Sequence, residues 1–235
     1  MQRLLDLFSA WAGSEPLRVE LLPLSGSARK YYRMTGSGCS AIGCIGTNLL
    51  ENNAFLAIDE SMCRHGLSAP HVYGVSPDRM TYLQEDLGDG QLFELLKPSI
   101  ASDRYTPEQM GWLRAVMAAL PAVQFKAGDG LDWGVCFPDR EFNDRMVNFD
   151  LNHFKYDFLK LTGLEFNEIA LQDDFDRLRE DSLDFSGDTF LYRDFRPYFK
   201  EGQDRATELG LYRQKYCGCI FSEEDRYTKH KKSEA

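Results

Sequence analysis

Long apolar runs are absent from this sequence of 235 residues, and no uninterrupted apolar stretch approaches the roughly 20 residues that a membrane-spanning helix needs. A secretory signal is not expected either, because Asp6 interrupts the short apolar core at the N-terminus. The six cysteines are too dispersed for a disulfide scaffold. We therefore expect a cytoplasmic protein with no membrane partner. Its scattered cysteines are expected to be small buried hydrophobes: Cys39, Cys44, Cys63 and Cys136.

Basic residues are scarce over most of the chain. Lys and Arg number 27 against 37 Asp and Glu, a net charge of −10 that argues against a surface wrapping duplex nucleic acid. Residues 195–235 hold nine basic and seven acidic residues, so their net charge is +2, whereas residues 1–194 carry −12. The length allows one sizeable core or two small ones. The charge division indicates that the tail is a different kind of sequence.

The first 90 residues predict an antiparallel sheet accompanied by helices. Leu4, Phe8 and Trp11 fall at helical spacing, which favours an amphipathic first helix within Met1–Pro16. Strand-like segments separated by turn residues follow, and a capped helix with early acidic and late basic residues interrupts them. The predicted strands are Arg18–Leu24, Arg29–Met34, Cys39–Thr47, Val72–Val75 and Met80–Gln84, and the predicted helix is Glu51–Gly66.

Helical patterns dominate the middle of the chain. The segment Thr106-Pro107-Glu108-Gln109 is typical of a helix start, and Phe190-Leu191-Tyr192 predicts a short strand. The order of elements predicts an α+β fold with a small lobe at residues 1–90, a mostly helical large lobe at 91–194 and a tail at 195–235. The expected helices are Gln91–Leu96, Thr106–Ala119, Glu141–Leu161 and Leu164–Asp181, with a further helix near Pro197–Leu209.

Three short segments have residue types suited to nucleotide chemistry. A small-residue turn between strands lets backbone N–H groups approach a phosphate, and a basic side chain can neutralise its charge. An acidic segment after a strand can connect two lobes, and a carboxylate beyond an apolar strand can accept a proton from a hydroxyl group. An ordinary hairpin and a solvated acidic loop are the alternatives for the first two. The residues are Ser25, Gly26, Ser27, Arg29 and Lys30 in the turn, Gln84, Glu85 and Asp86 in the connection, and Asp194 as the carboxylate.

In their order, these segments resemble the aminoglycoside phosphotransferase-like family of small-molecule kinases, which has a protein-kinase-like two-lobed fold. The resemblance covers residues 1–194 and implies phosphoryl transfer from ATP, with Mg²⁺, to a small hydroxylated acceptor. It assigns nucleotide binding to the turn and the connection, and the role of general base to Asp194. Two features depart from the family. Cys39–Thr47 has no lysine, and Phe199 stands where the family has an Asn ligand of Mg²⁺, with no Asp-Phe-Gly-like segment after it. The large lobe therefore looks truncated at its catalytic loop.

The sequence after Asp194 resembles a different family. The segments Asp194–Gln203 and Glu208–Glu223 resemble the C-terminal end of QueH-type epoxyqueuosine reductases, which reduce the epoxide of a modified tRNA nucleoside. This resemblance implies a 4Fe–4S cluster with Cys217 and Cys219 as metal ligands and tRNA as partner, since thiolates are soft ligands for iron. The family's other ligands, adjacent cysteines near its N-terminus, have no counterpart here.

Three functional hypotheses follow for what looks like a fused chain, joined near Asp194-Phe195. The leading one is an ATP-dependent phosphotransferase impaired by truncation. The second is a remnant of a tRNA epoxyqueuosine reductase of the QueH type, and the third is a non-catalytic fusion remnant. The sequence leaves the acceptor substrate and the oligomeric state open.

Overall fold

A computed structural model of the chain describes residues 1–23, 28–100, 102, 104–184 and 189–192, together with the backbone of three short strands in the tail. Its first part is a five-stranded antiparallel sheet with the order β1-β2-β3-β5-β4, and helix α2 lies in the chain between β3 and β4. The strands are β1 Arg18–Leu21, β2 Lys30–Thr35, β3 Ser40–Ile45, β4 Val72–Val75 and β5 Thr81–Glu85; the helices are α1 Gln2–Ala12 and α2 Leu49–Arg64. The described part of the chain is thus α+β with an antiparallel sheet.

Helix α1 covers part of the sheet because its apolar stripe meets small and flexible residues there. Leu4 and Phe8 are completely buried and pack with Met34, Ala41 and Leu83. Burying a side chain such as Leu or Phe contributes roughly 2–3 kcal/mol. Helix α1 ends at Gly13, whose φ of 73° is the left-handed conformation that glycine adopts without strain.

Gly43 on β3 permits the close approach of α1. A Cβ at this position would lie 2.6 Å from Leu4 Cδ2 and 3.1 Å from Met34 Sδ. Because both neighbours are fully buried, we expect Gly43→Ala to destabilise the protein by about 2 kcal/mol through overpacking, measured by denaturant unfolding. Gly111→Ala is the matched control, since Gly111 lies in a helix and nothing lies within 4 Å of the added Cβ. If both variants have the same denaturation midpoint as the wild type, Gly43 is not packed against Leu4 and Met34 in this way.

Helix α2 joins the sheet to a second, helical core. One part of α2 packs with Cys44 and Tyr82 of the sheet. Ala54, Ile58 and Met62 pack instead with residues of α3 Leu92–Ile100, α4 Pro107–Lys126 and strand β7 Phe190–Tyr192. Within this core, Ser61 Oγ donates a 2.8 Å hydrogen bond to the carbonyl oxygen of Ala127. The sheet and the helices are therefore held by a shared element.

The remaining elements follow α4 in the chain. Strand β6 is Pro138–Glu141, α5 is Asp144–Phe154, a π-helical turn covers Lys155–Leu159, a 3₁₀ turn covers Lys160–Thr162, and α6 is Glu168–Leu183. Helices α5 and α6 pack together, with Arg179 Nε 3.3 Å from Asp144 Oδ1. The predicted helix over Glu141–Leu161 is thus divided by a change of helical type at Lys155.

The tail contributes strands rather than the helix expected near Pro197–Leu209. Strand β8 Pro197–Phe199 pairs antiparallel with β9 Leu209–Leu211. Strand β10 Cys217–Cys219 lies between β6 and β7 in a three-stranded sheet. The helix prediction is wrong at its start because the proline-led segment is paired as a strand, and a sequence pattern gives no sign of this pairing.

Candidate functional site

The predicted phosphate turn is described only at its end. Ser25, Gly26 and Ser27 lie outside the described residues, whereas Arg29 is buried and Lys30 is exposed. Lys30 opens β2 and pairs in register with Ile45. Of the two basic residues that the sequence offers to a phosphate, the exposed Lys30 is the accessible one.

Arg29 is directed into the protein, towards helix α2. Its Nη2 atom donates a 2.9 Å hydrogen bond to the carbonyl oxygen of Glu51 and lies 3.2 Å from Glu51 Oε1. Its guanidinium also stands 5.7 Å from the centroid of the Phe55 ring. A guanidinium 3% exposed and held in this way ties the start of β2 to α2. Arg29 is therefore a structural cation, and a role in phosphate binding would need it to leave Glu51.

Tyr31, Cys44 and Tyr82 surround the same guanidinium. Burial raises the pKa of both tyrosines above the ordinary value and raises the pKa of the Cys44 thiol to about 11. Cys44 consequently stays a neutral thiol at pH 7, in agreement with its predicted role as a small buried hydrophobe. The same prediction is wrong for Cys63, which is exposed on α2.

The predicted connection between the lobes begins at the end of β5. Gln84 is 2% exposed and its Oε1 atom has no hydrogen-bond partner among the described residues. Glu85 exchanges backbone contacts with His71: its N–H donates to the His71 carbonyl at 2.8 Å, and its Oε2 accepts from the His71 N–H at 3.3 Å. Both residues therefore hold β5 in the sheet.

Asp86 fastens the connection to β2 and β3. Arg33 Nε lies 2.9 Å from Asp86 Oδ2, Ser40 Oγ donates to the same oxygen, and the Gly88 N–H donates to Asp86 Oδ1 at 3.0 Å. Arg33 also bonds Asp89 with both of its terminal nitrogens. The Asp86 carboxylate is thus saturated by protein donors, which leaves it little capacity to accept a ligand.

We expect Asp86→Asn to destabilise the protein by about 2 kcal/mol, because a neutral amide replaces the carboxylate that Arg33 Nε and Ser40 Oγ contact in a largely buried position, while Asp89 stays on the outer side of Arg33. Equilibrium unfolding in urea measures the change. Asp89→Asn is the matched control, since Asp89 binds the same arginine but its side chain is 78% exposed; it should cost about 0.5 kcal/mol or less. Equal losses in the two variants would contradict the assignment of Asp86 as the anchor.

Strand β7 leads towards the predicted catalytic carboxylate, but Asp194 itself lies outside the described residues. Phe190 and Tyr192 are 2% and 8% exposed, and the Phe190 ring lies 6.0 Å from the ring of Trp133. The predicted short strand is therefore confirmed, and the structure shows that it is buried in the helical core.

The predicted metal ligands lie in β10. Cys217 is opposite Tyr192 and Cys219 opposite Phe190 in an antiparallel pairing with β7, and Cys217 also pairs with Pro138 of β6. Cys217 and Cys219 are described here by their backbone register alone. Within the side chains that the structure describes, no group of three or more His, Cys, Asp or Glu residues is arranged to hold a metal ion.

Comparison with known proteins shows which family the segment that contains β10 resembles. The family model "Epoxyqueuosine reductase QueH" matches residues 161–225, which include both Cys217 and Cys219. Two curated proteins of the same description are similar: one from Thermotoga maritima is 46% identical over 46 residues, and one from Dehalococcoides mccartyi is 41% identical over 44 residues. Each match covers 19% of this chain, and the chain spans about a quarter (24%) of the length of these relatives. The expected reductase segment is thereby confirmed.

Of the two expected resemblances, the matches support only the one to QueH-type reductases. None of them supports an aminoglycoside phosphotransferase segment over residues 1–194. The family match also begins at residue 161, 33 residues before the resemblance noted at Asp194, and it therefore includes helix α6.

Helix α6 is not separate from the part of the chain that precedes the match. Glu168 in its first turn lies 2.9 Å from Lys155 Nζ and 2.8 Å from Lys160 Nζ. Hydrogen bonds from these two lysines lower the pKa of Glu168 to about 2. Phe175 of α6 packs against Phe154 of α5, with ring centroids 6.4 Å apart. The matched segment is therefore anchored to α5 and the turns that follow it.

The structure also shows a buried acid that sequence reasoning missed. Asp59 of α2 is 4% exposed, and its Oδ1 atom has no hydrogen-bond partner among the residues that the structure describes. Burial, reinforced by Glu60 and Glu85, raises the pKa of Asp59 to about 7. A signal was available in the sequence, because Asp59 follows the apolar pair Ala57-Ile58 on a helix whose next residue is also acidic.

Proposed function

We propose that this chain takes part in the reduction of epoxyqueuosine in tRNA. Its contribution is a QueH-type segment that carries Cys217 and Cys219. The observation that carries the proposal is the family match over residues 161–225, which contains both cysteines. The two curated relatives, named epoxyqueuosine reductases, support it independently with 46% and 41% identity over short segments.

The residue types suit this chemistry. Loss of an epoxide oxygen as water takes up two electrons and two protons, so the site needs groups that handle electrons as well as a nucleoside. Thiolates at positions i and i+2 of a strand share one face of a sheet and are soft ligands for iron. Cys217 and Cys219 stand in this relation in β10. We assign them as the thiol donors of the site.

A four-thiolate iron–sulfur cluster would need two ligands besides Cys217 and Cys219. Such clusters take four cysteines, and the tail supplies two. The thiols of Cys44 and Cys63 lie in the first sheet and α2, where burial raises the pKa of each to about 11 and keeps them protonated at pH 7. Cys44 and Cys63 are therefore poorly suited to supply the other two thiolates.

For residues 1–90 we propose a kinase-like small lobe as the fold. The strand order β1-β2-β3-β5-β4 with α2 between β3 and β4, and the contact from Arg29 to Glu51 of α2, support this proposal. The engagement of Arg29 and Asp86 by neighbouring residues disfavours phosphoryl transfer.

A thermal-shift titration of the full chain with ATP and Mg²⁺ tests whether the chain binds a nucleotide. We expect the melting temperature to change by less than about 1 °C at millimolar nucleotide, because a ligand that does not bind the native state does not stabilise it. A saturable rise of several degrees, absent with Mg²⁺ alone, would contradict this expectation and restore the phosphotransferase hypothesis.

The proposal itself is tested by a chimera. In the chimera, residues 161–225 of this chain replace the matching segment of the Thermotoga maritima relative. The rest of the chimera is the relative's own sequence. After anaerobic reconstitution, the chimera is given tRNA containing epoxyqueuosine and a chemical reductant, and the nucleosides are identified by mass spectrometry. We expect queuosine at a rate within about tenfold of the parent enzyme. A folded chimera that forms none would overturn the proposal.

A further inference from the structure

A cavity of about 290 Å³ lies between α2 and β4. Small-molecule pockets in proteins start at about 300 Å³, so this space suits a ligand of a few heavy atoms. The residues that line it are Leu56, Asp59, Glu60, Cys63, His71, Val72, Val75 and Arg79.

The cavity combines an apolar wall with a buried carboxylate. Leu56, Val72 and Val75 supply the apolar part. Asp59 is 4% exposed and its Oδ1 atom has no hydrogen-bond partner in the described part of the chain. A buried carboxylate oxygen without a donor is costly, and no group in the described part of the chain donates a hydrogen bond to Oδ1.

The charges around Asp59 specify the sign of the missing partner. Glu60 on the same helix and Glu85 at the end of β5 both act on Asp59 as like charges. The basic lining residue, Arg79, donates its Nε–H to Asn53 Oδ1. The remaining polar lining groups are the Cys63 thiol and the His71 ring. The local field is therefore negative and favours a cation.

The position of Arg79 is fixed by its backbone. Its φ is 56°, and its carbonyl oxygen accepts a 2.9 Å hydrogen bond from Asn52 Nδ2, a side chain that is completely buried. The guanidinium is thus held on Asn53 at the rim of the cavity. Because the described residues contain no group of three ligands arranged for a metal ion, an organic cation fits the site better than a divalent metal.

We propose that the cavity between α2 and β4 binds a small organic cation, a protonated primary amine on a short aliphatic chain, with Asp59 as its counter-ion. The ammonium group donates hydrogen bonds to Asp59, and the aliphatic chain packs on Leu56, Val72 and Val75. This site goes beyond the reductase function and does not depend on it, since none of its residues lies in the segment 161–225.

The test uses n-butylammonium as the probe, added to the full chain in phosphate buffer at pH 8 and followed by ¹H–¹⁵N NMR. We expect saturable shifts of amides in residues 56–63 and 71–79. Neutral n-butanol and anionic butyrate, which have the same chain length, should bind at least tenfold more weakly. Failure of butylammonium to bind, or equal affinity for butanol or butyrate, would overturn the proposal.

Two variants and one control locate the binding. Asp59→Asn keeps the shape of the side chain and removes its charge, so butylammonium affinity should fall at least tenfold while the spectrum stays that of a folded protein. Val72→Phe should reduce binding by filling the cavity. Asp173→Asn, an exposed acid on α6, should leave the affinity unchanged. Unchanged affinity in Asp59→Asn would overturn the assignment of the counter-ion.

Discussion

Replacement of either Cys217 or Cys219 by serine in the chimera should lower the rate of queuosine formation by at least about a hundredfold. Serine has nearly the size of cysteine, but its hydroxyl is neither a soft ligand for iron nor a redox group at neutral pH. The loss should therefore appear in turnover, with little change in the stability of the chimera. Quantification of queuosine and epoxyqueuosine in digested tRNA measures it.

Ser222→Ala provides the matched control, since Ser222 lies three residues after Cys219 in the same family match. It should retain turnover within about threefold of the unmodified chimera. If the Cys217→Ser and Cys219→Ser chimeras work as fast as the Ser222→Ala chimera, the two cysteines are not the thiol donors of the site. The family match would then reflect ancestry without this function.

Asp59→Asn should change the pH dependence of stability more than other single substitutions on α2. The folded-state pKa of Asp59 is raised to about 7 from 3.8, so the native protein binds this proton more tightly than the unfolded chain does. The free energy of unfolding of the wild type should therefore fall as pH rises from about 4 to about 7. The full penalty above pH 7 is on the order of 4 kcal/mol, because each pKa unit corresponds to about 1.4 kcal/mol.

The asparagine variant lacks this proton, so its stability should vary less over the same range. At pH 4 the two proteins should be nearly equally stable, and at pH 8 the variant should be more stable by about 2–4 kcal/mol. Urea unfolding at several pH values measures both. Asp173→Asn, on the exposed face of α6, should follow the wild-type curve. Parallel curves for Asp59→Asn and wild type would show that the Asp59 carboxylate is not buried as described.

Local patterns were sufficient for many individual elements. Strands Val72–Val75 and Phe190–Tyr192 have the predicted bounds, because short apolar or β-branched runs between turn residues favour strands. The start of α4 was also predictable. Thr106 and Gln109 form the reciprocal capping interaction that their spacing indicates, with the Gln109 N–H donating to Thr106 Oγ1 at 3.2 Å.

Other features depend on contacts between distant parts of the chain. Helix α4 continues past Pro121 to Lys126, although proline disfavours a helix interior, because Val123 and Ala127 are buried in the core with Phe190. The pairing of β10 with β6 and β7 joins residues about 80 and 27 positions apart, which no local pattern encodes.

The candidate sites likewise combine features that the sequence shows with features that only the folded chain shows. The Cys217-Gly218-Cys219 motif is visible in the sequence and is covered by the family match. The engagement of Arg29 by Glu51 and of Asp86 by Arg33 is visible only when the strands are assembled. For Asp59, the sequence shows an acid beside an apolar pair, but only the fold shows that the side chain is buried and that Oδ1 has no partner among the described residues.

The central claim is that residues 161–225 serve as the C-terminal segment of a QueH-type reductase. The most direct measurement is the ratio of queuosine to epoxyqueuosine in total tRNA from cells whose sole epoxyqueuosine reductase is the chimera. We predict that queuosine predominates, as it does with the parent enzyme. Accumulation of epoxyqueuosine to the level of cells with an empty vector, with the chimera present at the parental protein level, would contradict the claim.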